Sequence, residues 1–173
     1  MTRITSAFAF ALTAASLAVL LPAAASAVEE KTLFETCFVR SYDADHLARH
    51  PAQSVTEMQV YFQEFEDGLN GQVTYKVRGS EPVRAFAGDC SAAAKASDVL
   101  TCAVCKGDSC ETTGDRFKIR LRDRGTIELL NNDTGVTATV LAGGESEGTE
   151  KLAAGGEHGS FLLKKAALKA CGR

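Results

Sequence analysis

The chain has 173 residues, 45% of them hydrophobic, with six cysteines, no tryptophan and a formal net charge of −3. So mild an acidity serves ordinary solubility and gives no general case for a nucleic-acid partner. Internal repeats are absent, and low-complexity stretches are confined to the first residues and one glycine-rich segment.

Residues 1–27 read as a cleaved export signal. Arg3 supplies a basic start, "AFAFALTAASLAVLL" the apolar stretch, and "ASA", ending at Ala27, a small-residue cleavage site. The apolar run falls short of the ~20 residues that a membrane span needs, so no transmembrane segment is expected. Cleavage leaves residues 28–173, with 18 basic and 22 acidic side chains. That length suits one domain with a substantial core. All six cysteines fall in it, and an even count in an exported chain points to three disulfides.

In chain order, "TLFETCFVR" is a strand or an extended lead-in. "DADHLARHP" is a helical turn capped by Asp43, with Leu47 pointing inward and Pro51 disfavouring helix at His50. "SVTEMQVYFQEFE" alternates Thr56, Met58, Val60 and Phe62 against polar neighbours, the mark of a half-buried strand. The next segment, "DGLNGQ", predicts a hairpin turn at Asn70-Gly71. Further strands are expected in "QVTYKVRG", "VRAFAGDC", "VLTCAVC", "DRFKIRLRDRG", "GTIELLNN", "VTATVLA" and "SFLL". The segment "GGESEGTEKLAAGGEHG" is expected to be a loop, and the end of the chain a short helix carrying Cys171. The sum is a mainly β fold of about eight short antiparallel strands, a disulfide-stapled barrel or meander; the pattern leaves a sandwich open.

Three constellations carry candidate chemistry. The first is the cysteine set. "CAVCKGDSC" contains a Cys-x-x-Cys, but its flanks are strand-like, whereas a redox pair needs a helix N-terminus. We adopt the pairing Cys37–Cys171, Cys90–Cys102 and Cys105–Cys110; zinc held by Cys102, Cys105, Cys110 and a histidine is the rival. The second is "RFKIRLRDR", in which Arg116, Lys118, Arg120, Arg122 and Arg124 share one parity, opposite Phe117, Ile119 and Leu121. On a strand this makes a basic stripe. It could receive an envelope protein, an anionic glycan or a lipid headgroup, or be a solvated face balanced by neighbours such as Glu128. The third is the pair His46 and His50, with Asp43, in a chain of three histidines. A spacing of four suits zinc on a helix, but Pro51 favours a structural role, a lid or plug tied down by Cys37. Glu145, Glu147, Glu150 and Glu157 lack a calcium-loop spacing. No catalytic residues, resident metal or cofactor are expected, because no nucleophile elbow or phosphate loop is present.

The order Cys-x-x-Arg-x-Tyr-Asp-Ala-x-His-Leu-x-x-His-Pro-x-Gln-x-Val, residues 37–55, resembles a group of small exported proteins of Gram-negative bacteria. The resemblance implies a periplasmic setting and supplies no mechanism. In outline, the plan of signal plus disulfide-bearing β domain is also similar to periplasmic lysozyme inhibitors, without their Ser-Gly-rich segment leading to a tyrosine. The expectation is therefore a monomeric, non-enzymatic periplasmic binding or inhibitory module. The alternatives are a carrier with an apolar interior lined by Phe62, Tyr75, Phe117, Leu129 and Phe161, or a metal-binding envelope protein. A cell-wall hydrolase is more distant.

Overall fold

The computed structural model describes residues 32–66, 68–92, 97–106, 109–110, 114–131 and 134–173. The export signal expected at residues 1–27 lies outside them. Period-two alternation builds the sheet, because each strand presents its apolar side chains to one face. The strands are β1 (Thr36–Ser41), β2 (Val55–Phe65), β3 (Gly68–Val77), β4 (Ser80–Ala92), β5 (Val99–Lys106), β6 (Ser109–Cys110), β7 (Arg116–Asp123), β8 (Thr126–Asn131), β9 (Val136–Ala142), β10 (Glu145–Leu152) and β11 (Ser160–Ala166). Helix α1 (Ala44–Arg49) follows β1, and 3-10 turns cover Gly156–His158 and Leu168–Cys171.

Pairing runs β4–β3–β2–β1–β11–β8–β7–β5, and β5 pairs back with β4. Eight antiparallel strands thus close into a barrel, which leaves none of them with a free edge along its whole length. Closure depends on β11, which enters between β1 and β8. Its pairing sets Cys37 opposite Ala166, so the Leu168–Cys171 turn brings Cys171 back to Cys37.

The long strand β4 serves two neighbours on one edge. Gly88–Ala92 pair with β5, whereas Val83–Ala85 pair with β9. The β9–β10 hairpin therefore grows out of the barrel wall, and Asp115 fills the fork. Its carbonyl accepts from Val104 N–H at 2.9 Å, and its carboxylate accepts from Thr137 N–H at 2.9 Å. Those Thr137 hydrogen bonds hold the carboxyl below the usual aspartate range. Val136, Ala138 and Leu152 carry the core into the hairpin, and Glu150 pairs with the buried Arg84 at 2.9 Å. Burial and the nearby Glu150 push the Tyr75 hydroxyl up to about 12, so it stays protonated.

Aromatic rings fill the inside. Phe38, Phe62, Phe117 and Phe161 are fully buried, Phe38 meets Phe62 edge-on at 6.0 Å, and Phe86 meets Phe117 at 5.1 Å. Two glycines make room for them. Gly71 and Gly88 face each other across β3 and β4; a Cβ on Gly88 would lie 2.8 Å from Phe117 Cε1 and 2.7 Å from the Ala103 carbonyl oxygen.

Several expectations change. The β2–β3 hairpin turns between Phe65 and Gly68, with Glu66 at φ 46°, so Asn70-Gly71 lies within β3. Packing decides this: Leu69 and Val73 are buried, and Gly71 is needed for close approach, since its Cβ would lie 3.2 Å from Cys90 Sγ. The segment expected as a loop forms strand β10, exposed everywhere except Leu152; cross-strand pairing with β9 creates it, and its own pattern does not. Finally, β7 ends at Asp123 after a register shift, so Arg124 sits in a turn, where Asp123 Oδ1 accepts from Gly125 N–H at 2.7 Å.

Candidate functional site

The alternation in β7 sends Phe117, Ile119 and Leu121 inward and leaves Arg116, Lys118 and Arg122 exposed outside, with Arg120 half-buried. Pairing sets Lys118 between Thr101 of β5 and Leu130 of β8, and Arg120 between Val99 and Glu128. Beyond β8, β11 places Leu162 beside Glu128 and Lys164 beside Thr126. Leu162 is 46% exposed. The outer surface of β5, β7, β8 and β11 is thus a basic face with aliphatic side chains set into it.

Its charges are unequal. Arg120 Nη1 donates to Glu128 Oε2 at 3.2 Å, and Arg122 Nη2 donates to the same oxygen. One carboxylate, with 14% of its side chain exposed, therefore serves two guanidinium groups. Among the described residues, Lys118 and Arg124 make no ion pair, while Arg116 is engaged in interactions of its own. Acidic side chains collect elsewhere: Glu81 and Glu147 line an open groove of about 580 Å³ between the start of β4 and the β9–β10 tip. The sequence identified the stripe and Glu128. It missed Leu162 and Lys164, which join the face only through the β8–β11 pairing.

The three histidines meet at the barrel end where β1 finishes and β2 and β11 begin. Asp43 caps α1, its Oδ1 accepting from His46 N–H at 2.7 Å. Arg78 donates to the Leu47 and Gln53 carbonyls at 3.0 Å, anchoring α1 to the end of β3. A column follows: Arg40 lies 4.8 Å from the Tyr42 ring centroid, Tyr42 lies 4.7 Å from His46, and His46 stacks on His50 at 4.3 Å. His50 Nδ1 then meets Glu157 Oε1 at 3.1 Å. His158 Nε2 accepts from Ser54 N–H at 3.1 Å and lies 2.9 Å from Ser54 Oγ. That is the spacing of a nucleophile and base, but the backbone N–H competes for the single Nε2 lone pair, which makes the contact a staple for the turn.

Partial desolvation, reinforced by His50, Arg40 and Arg49, holds His46 below the usual histidine range despite Asp43. The folded chain therefore binds this proton less readily than the unfolded chain does. Stability is expected to be complete above 6.5 and lost as the pH falls through the lower folded value. Denaturant unfolding of His46→Gln should show a flatter acid limb than the wild type; identical limbs would exclude the assignment.

The disulfides are Cys37–Cys171, Cys90–Cys102 and Cys105–Cys110. Cys102 and Cys105 thus have different partners, so their motif is no redox pair and their sulfurs are not free for zinc. Among the described residues, one group of three possible ligands converges, Asp89 with Cys105 and Cys110, and its two sulfurs are bonded to each other. Neither Asp43 nor Glu157 forms such a group with His46 and His50 as their side chains stand. Compared with known protein families, curated proteins and solved structures, the chain matches none. No helix of the described residues is long and apolar enough to cross a membrane.

Proposed function

We propose that the chain is an exported, non-enzymatic periplasmic module that binds, and in binding inhibits or sequesters, an anionic partner through the outer face of β5, β7, β8 and β11. The observation that carries this reading is the local cation excess: Lys118 and Arg124 have no counter-ion among the described residues, while Arg120 and Arg122 share Glu128. On another part of the sheet the charges are paired one to one, Lys76 with Glu57 at 3.0 Å. The export signal expected at residues 1–27 and the three disulfides support an extracytoplasmic setting. A single buried cluster containing Phe62, Tyr75, Phe117, Leu129 and Phe161 supports an exterior site over a ligand carried inside.

The test is the salt concentration that elutes the protein from a sulfated-polysaccharide matrix. Each exposed contact contributes about 0.2–1 kcal/mol, so the Lys118→Glu, Arg124→Glu double variant should elute at clearly lower salt. The same reversals at Lys76 and Lys151, which lie on β3 and β10, should change elution less. Equal elution of the wild type and the first variant would exclude the proposal.

A further inference from the structure

We infer that His50 and Glu157, with His46, form a binding site for a single zinc or copper ion at the barrel end, independent of the basic face. His50 Nδ1 and Glu157 Oε1 stand 3.1 Å apart although 107 positions separate them in the chain. Bonds of about 2.0–2.1 Å at a tetrahedral angle place two ligand atoms about 3.3 Å apart. The observed pair already spans nearly that distance, so an ion replaces the proton between them with little movement.

One further observation points to an ion. Glu157 Oε2 is shut off from solvent and has no hydrogen-bond partner among the described residues; a buried carboxylate oxygen left bare is costly, and a cation shared by both oxygens of the carboxylate offsets that cost. The turn that carries Glu157 is held from beside it, because His158 Nε2 accepts from Ser54 N–H at 3.1 Å, which makes Ser54 and His158 positioning residues. His46 supplies the third ligand. It lies one helical turn before His50, its ring stacked at 4.3 Å and 22°, and must rotate out of the stack to bring a ring nitrogen to the ion. Asp43 is committed to the His46 N–H and is not a ligand. With 44% of the His50 side chain exposed, the ion has an entry path. Two imidazoles and one carboxylate suit zinc or copper and give calcium too few oxygens. Arg40 and Arg49 nearby oppose a cation, which places the site among those needing a strongly imidazole-seeking metal.

Native mass spectrometry and calorimetric titration of the oxidised chain with Zn²⁺ and Cu²⁺, with Ca²⁺ for comparison, test the site. One Zn²⁺ or Cu²⁺ per chain is expected, with His50→Ala and His46→Ala losing it and Glu157→Gln weakening it by about 10-fold or more. Glu157→Gln keeps the size of the side chain and one oxygen that can accept from His50 while removing the charge, so it decides the matter even where a histidine variant fails to fold. A wild-type chain that retains no ion, equal affinity in wild type and Glu157→Gln, or Ca²⁺ binding as strong as Zn²⁺ would overturn the inference.

Discussion

Replacing Cys37 and Cys171 together by serine is expected to lower stability by about 4–5 kcal/mol. For a chain of this size the melting temperature should fall by roughly 10–20 °C. The bridge spans 134 positions, and constraint of the unfolded chain grows with the loop closed. It also fastens the Leu168–Cys171 turn over β1 and β2, where Arg173 lies 4.9 Å from the Tyr61 ring centroid and donates to Gln72 Oε1 at 2.8 Å. The Cys105–Cys110 bridge, with a separation of 5, should contribute only about 2 kcal/mol. Thermal unfolding of the two double-serine variants gives the comparison; an equal or larger loss for the short bridge would contradict the role assigned to the long one.

Phe117→Ala is expected to cost about 3–5 kcal/mol, the range for removing a buried ring. The ring is fully buried, touches Phe86 and lies over Gly88, where no side chain exists to collapse into the void. Denaturant unfolding measures the loss. A cost under about 1 kcal/mol would mean that the ring faces open space, and the filled interior would then be wrong.

The sequence made the wall of the barrel legible and its closure hard to see. Alternation through β2, β7 and β11 marks Met58, Val60, Phe62, Phe117, Ile119, Phe161 and Leu163 as one-sided, and all of these are buried. An even cysteine count pointed to three bridges, and the strand register seats two of the pairs, Cys90 opposite Cys102 and Cys105 opposite Cys110. β10 was illegible: "ESEGTEKL" has no apolar alternation and becomes a strand only by pairing with β9. Asn70-Gly71 carries a turn signal that tertiary packing overrides, since the same glycine is what lets Phe62 approach β3.

At the candidate sites the legible part was whatever lay within one element. Five cations of one parity were visible in the sequence, as was Glu128 one hairpin away. Leu162, Lys164 and Glu157 were not, because their neighbours are fixed by pairings and contacts across more than thirty positions. Asp43 was read correctly as a cap. Its neighbour His50 gained a carboxylate partner only when the fold delivered Glu157.

Binding on the outside of a filled barrel is open to a residue-resolved NMR titration with a sulfated oligosaccharide. Salt-sensitive shifts are expected to concentrate at Thr101, Lys118, Arg122, Arg124, Leu162 and Lys164, with Phe62, Tyr75, Phe117, Leu129 and Phe161 unmoved. Shifts centred on those interior residues, or shifts spread evenly over both faces of the sheet, would contradict it.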